Sequence, residues 1–104
     1  MEAVLIDQFV VPEAVIDEFL RQVSHSARII RTRPGFVEGY LFRRASGEGR
    51  VNVVTTAVWA SQAAMEEAKK SIAAEFARVG FNPPEIMKRL GVQLERGIYQ
   101  RTPY

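Results

Sequence analysis

Residues Val51–Ser61 read VNVVTTAVWAS, and the alternation in this stretch decides the fold. A period of two puts Val51, Val53, Thr55, Ala57 and Trp59 on one face of a strand. Asn52, Val54, Thr56 and Val58 fall on the other. Neither face is clearly the wet one. Both therefore need cover, in a chain of only 104 residues.

The flanking segments supply the first cover. Upstream, Phe36–Ala45 (FVEGYLFRRA) is another strand, joined to this one by the glycine-bearing loop Ser46–Gly49. That makes an antiparallel hairpin. Downstream, Ser61 suits a helix N-cap. Met65, Ala68, Ile72, Phe76 and Val79 then recur at helical spacing until Gly80 ends the run. Ala3–Val11 (AVLIDQFVV) is a first strand that stops at Pro12. Ile16, Phe19, Leu20, Val23, Ala27 and Ile30 form the stripe of a helix reaching about Arg31, where Arg33-Pro34-Gly35 breaks it. Pro84–Leu90 fits a short helix before Gly91, and Val92–Arg101 a last strand.

The order is β-α-β-β-α-(α)-β over a single domain, 1–104. It predicts an α+β, ferredoxin-like fold with a four-stranded antiparallel sheet and both long helices on one face. The other sheet face would hold Val4, Ile6, Gln8 and Val10 beside Val54, Thr56 and Val58. Monomers rarely leave such an apolar patch bare. The simplest second cover is another copy of the same sheet, so a homodimer through the open sheet face is expected.

Composition narrows the function. Charged residues make up 25% and the net charge is +2, which gives no basic face for nucleic acid. There is no cysteine, hence no disulfide, thiolate metal site or cysteine nucleophile. No apolar run approaches a bilayer span, and the N-terminus lacks a signal-peptide pattern, so a cytoplasmic protein without membrane attachment is expected. There is no phosphate-cradling glycine loop, dinucleotide fingerprint, GxSxG or HExxH, and one histidine with scattered carboxylates makes no metal site. No cofactor is implied.

The segment LIDQF followed by VPE, the turn RPGF and the strand end AVWAS resemble the antibiotic biosynthesis monooxygenase family, part of the dimeric α/β-barrel superfamily. The resemblance spans nearly the whole chain. It implies a dimer and a pocket between the helices and the sheet of each subunit. It also implies a cofactor-independent monooxygenase acting on a small aromatic, quinol-like or polyketide substrate. Haem-degrading relatives use an Asn on the first strand, the Trp ending the third and a His on the next helix. Here Asp7 replaces the Asn, Trp59 is retained, and Ala68 and Lys69 stand where the His would be. Several oxygenase members carry Asn four residues before the Trp, and this chain has Thr55. The alternative is a non-catalytic module of the same fold that binds a small hydrophobic ligand or serves a stress response.

Five residues carry the site expectation. Trp59 is either an aromatic wall for a flat substrate or a core residue, and it is expected beside Asp7. Asp7 lies in an apolar strand. It is a pocket base, since burial strengthens a carboxylate as a base, or the partner of an arginine, or a carboxylate at a wet strand end. Such a base would give a carbanion that can pass an electron to dioxygen. Thr55 and Tyr40 would donate hydrogen bonds, although a strand aromatic such as Tyr40 is more often core or interface than a ligand contact. His25 is off the main stripe of its helix. It would be solvated, or else take part in substrate binding as an acid or base.

Overall fold

The computed structural model describes all residues, 1–104. Strand β1 is Ala3–Val10. A single 3-10 turn at Glu13–Val15 leads into helix α1, Ile16–Ile30. Strands β2, Phe36–Arg43, and β3, Val53–Trp59, form the hairpin. Helix α2 is Gln62–Val79, α3 is Pro83–Leu90, and β4 is Gln93–Tyr99. All strand pairs are antiparallel, in the order β2-β3-β1-β4. This is the ferredoxin-like α+β fold expected from the element order.

Local chemistry sets the element ends. The Ser61 hydroxyl accepts from Ala64 N–H at 3.0 Å and caps α2, and Gly80 closes it in the left-handed region at φ 71°. The Asn82 side chain caps α3 at the Glu85 N–H, with two prolines in the first turn. Gly35 adopts φ 89° in the turn before β2. A Cβ there would stand 2.6 Å from Ala64 Cβ, so the turn seats directly on α2.

The hairpin strands are shorter than the sequence suggests. Arg44 folds back over the loop, its Nε donating to Val51 O at 2.7 Å and its Nη1 to Glu48 O at 2.9 Å. This arginine organises the loop rather than simply facing water. Beyond Phe9–Val53 the ladder is continued by a side chain. Asn52 Oδ1 accepts from Val11 N–H at 2.9 Å, and its Nδ2 donates to Val11 O at 2.8 Å. That amide therefore replaces a backbone pair at the end of β1.

The helices cover one sheet face with two separate cores. One gathers Phe9, Val11, Ile16, Phe19, Val53 and Leu90. The other gathers Ala3, Trp59, Met65 and Ala68, with Leu5, Ile30, Phe36, Ala57 and Ile72 against it. The molecule is only 17 Å through its thin dimension, which is one sheet and one helix layer. The opposite face carries no layer of its own. Tyr40, Phe42 and Tyr99 lie half-exposed there, beside Ile6, Val10 and Val54. Only one end is crossed, where Arg101 pairs with Glu2 and Glu38 above the row containing Val4 and Val58.

Candidate functional site

Register places the site residues. On the helix-covered face, Leu41, Thr55, Asp7 and Arg96 stand opposite one another across all four strands. The next row on one side is Gly39, Ala57, Leu5 and Ile98, leading into the core around Trp59. The next row on the other side holds Val53 and Phe9, inside the second core. A polar row thus crosses the apolar face between the two cores. Leu41, Ile98 and Leu94 nearby remain substantially exposed.

The centre of the row is an ion pair. Arg96 Nε donates to Asp7 Oδ1 at 2.7 Å and Nη2 to Oδ2 at 2.8 Å, a side-on bidentate fork. The Asp7 side chain is 10% exposed and that of Arg96 51%. The hydrogen bonds to Asp7 raise the Arg96 guanidinium above its ordinary value against the opposing effect of burial, so it is a permanent cation. Asp7 thus has the arginine partner that one of its readings expected. Thr55 stands next to it on β3, partly exposed.

Trp59 is not beside Asp7. It pairs with Ala3, four residues further along the ladder, roughly 13 Å away at a strand rise of about 3.3 Å per residue. The expectation that sharing a face would make them neighbours fails on register. Trp59 is 2% exposed, enclosed by Met65, Ala68 and the edge of Phe36 at a ring distance of 5.5 Å. Its indole N–H is buried and meets no acceptor, as does Nε of Arg33. An orphaned buried donor is uncommon.

Tyr40 and His25 stand apart from this row. Tyr40 pairs with Thr56, whose parity puts it on the open face, where its hydroxyl donates to Glu38 Oε2 at 3.3 Å. His25 is exposed on α1, its ring against Phe81 at 4.8 Å. It lines an open surface groove of about 690 Å³ with Arg21 and Arg28, on the side of α1 away from its buried stripe. The groove is lined by residues of α1 and by Phe81, and by none of the polar row. No three His, Cys, Asp or Glu side chains converge as metal ligands.

Arg96 was missed in the sequence. The signal was present, because Leu94 and Ile98 flank it on one strand as Leu5 and Phe9 flank Asp7 on another. Opposite charges each interrupt an apolar alternation, and a register that opposes them pairs them.

The sequence model for antibiotic biosynthesis monooxygenases matches residues 3–78. The chain belongs to that family. Among solved structures it is similar to SnoaB from Streptomyces nogalater, a cofactor-independent oxygenase, at 25% identity and TM-score 0.72 over 99% of this chain and 95% of that one. It is also similar to a heme-degrading protein from Mycobacterium tuberculosis, at 26% identity and TM-score 0.60 over 66% and 78%. A Shewanella loihica protein at 16% identity and TM-score 0.77, over 99% and 96%, shares the fold. No curated protein matches significantly.

Proposed function

We propose that this family member is a cofactor-independent monooxygenase acting on a small aromatic, quinol-like or polyketide substrate at the row Thr55–Asp7–Arg96. The supporting observation is a charged, bidentate pair set into the middle of an otherwise apolar face, between two cores, in a chain similar to a cofactor-independent oxygenase.

Asp7 accepts the proton of an acidic substrate C–H. The fork from Arg96 uses one lone pair on each carboxylate oxygen and leaves the outer ones free. Arg96 stabilises the enolate that forms, and the Thr55 hydroxyl orients it. Trp59 stays in the core at the far end of the same face, about 13 Å along the ladder. The carbanion passes an electron to dioxygen, the radicals combine, and the peroxide loses water. The balance is a methylene plus dioxygen giving a carbonyl plus water, with the methylene carbon as reductant.

The working unit in this proposal is a homodimer joined through the open sheet face, in the cytoplasm. Only 12 of the 104 residues are buried in the single chain, and Tyr40, Phe42 and Tyr99 on the open face stay half-exposed, so a second sheet would bury apolar surface that this chain leaves bare. Light scattering after size exclusion is expected to give about twice the 11.7 kDa chain mass. A monomer mass would remove this part of the proposal.

A second reading keeps the same fold as a non-catalytic binding module for a small hydrophobic ligand. The engagement of Asp7 by Arg96 and the enclosure of Trp59 are what favour it. Oxygen-electrode assays with anthrone-like and quinol substrates separate the two. Uptake by the wild type that disappears in Asp7→Ala, with ligand binding retained, supports the enzyme. Equal uptake by both proteins removes Asp7 from the chemistry, and no uptake with intact binding favours the module.

A further inference from the structure

We infer that Arg96 is an anion-recognition residue, whose free guanidinium edge takes a planar oxyanion such as the carboxylate of an aromatic acid. The inference rests on reading the polar row as the ligand site and adds to it the charge of the ligand.

A guanidinium carries five N–H donors in one rigid plane. Asp7 occupies the edge formed by Nε and Nη2. The end-on edge, formed by Nη1 and the second hydrogen of Nη2, faces no protein acceptor. It belongs to a side chain that is half exposed, so it is open to a ligand. Its spacing matches two oxygens of a second planar anion.

The position of Asp7 argues the same way. It occupies a strand interior between Leu5 and Phe9, where an apolar residue would pack equally well. A buried ion pair is seldom more stabilising than the hydrophobic residues that could replace it. What this pair does secure is direction. An unrestrained arginine samples many rotamers and loses that freedom on binding. Clamped by Asp7, the Arg96 fork is already aimed when the ligand arrives. The guanidinium also stands between the Asp7 charge and the incoming anion, so their mutual repulsion is weakened by distance and by the intervening cation.

The experiment is calorimetric titration with two probes of matched size, anthraquinone-2-carboxylate and the uncharged anthraquinone-2-carboxamide. The wild type is expected to prefer the carboxylate by about tenfold, the effect of one charge-assisted hydrogen bond. Because Arg96→Gln alone strands a buried carboxylate, the comparison is the neutral double variant Asp7→Asn/Arg96→Gln. It is expected to lose the preference, binding the carboxylate and the carboxamide within about twofold of each other. A preference that survives in the double variant overturns the assignment to Arg96. Equal binding of both probes by the wild type overturns it too, while leaving the polar row as the ligand site. Binding of neither probe overturns the reading of the row itself, and this inference with it.

Discussion

Arg96 and Asp7 meet edge to edge across β4 and β1, at 2.7 and 2.8 Å, with the acid nine-tenths enclosed and the base half in water. That asymmetry makes the two partners unequal. Arg96→Gln strands a carboxylate in an apolar setting and is expected to cost about 3 kcal/mol. Asp7→Asn leaves a guanidinium that water can still reach, at about 1 kcal/mol. The double variant is expected to lose less than the sum of the two, as urea unfolding of all three proteins would show.

Trp59 is a core residue with an unsatisfied donor. Trp59→Ala is expected to cost about 3–5 kcal/mol, as large-to-small core changes do. Trp59→Phe should cost less than about 2 kcal/mol. The lost volume is partly offset by removing an N–H whose burial without a partner costs about 1–3 kcal/mol. If that N–H instead binds substrate, Trp59→Phe will raise KM at little cost in stability. Unfolding and steady-state kinetics on one preparation distinguish the two.

Asn52 continues the sheet with its side chain, through two hydrogen bonds to Val11. Asn52→Ala leaves both Val11 backbone groups unpaired and is expected to cost about 2 kcal/mol, at about 1 kcal/mol per hydrogen bond. Asn52→Asp keeps the acceptor but loses the donor, and should fall between. Thermal melts test both.

Two carboxylates set an acid limit. The hydrogen bond from Arg89 holds Glu18 below its ordinary value of 4.5, and that from Arg78 does the same for Glu75. A carboxylate depressed in the folded state contributes stability above the unfolded value. The contribution fades as pH falls through the lower, folded value. Unfolding midpoints should therefore decline below about pH 4.5, and the double variant Glu18→Gln/Glu75→Gln should flatten that decline. Both carboxylates are partly open to solvent, so added salt should shrink the difference.

Much of this architecture was legible in the sequence because periodicity is local. The alternations of Ala3–Val11 and Val51–Trp59, and the stripe from Ile16 to Ile30, each report which face is buried. The caps at Ser61, Gly80 and Gly91 mark ends by chemistry that acts within one turn. Register is not local. Alternation puts Asp7, Thr55 and Trp59 on one face but says nothing of their order along it, so Trp59 was expected beside Asp7 and lies beside Ala3. The same limit hid Arg96, which is 89 residues from Asp7 in sequence. The face of Tyr40 depends on an irregularity that alternation does not reveal. The bulge between Phe36 and Glu38 shifts the parity of β2, and the tyrosine emerges on the open face.

The most direct test of the central claim follows the oxygen atom. The purified protein, treated with chelator and shown free of flavin absorbance, would be given an anthrone-like substrate under isotopically heavy dioxygen, and the product analysed by mass spectrometry. The account predicts that wild type places one heavy oxygen in the product carbonyl, and that Asp7→Ala does so only at the rate of the uncatalysed reaction. A product labelled at the same rate by both proteins, or carrying oxygen from water, would contradict it.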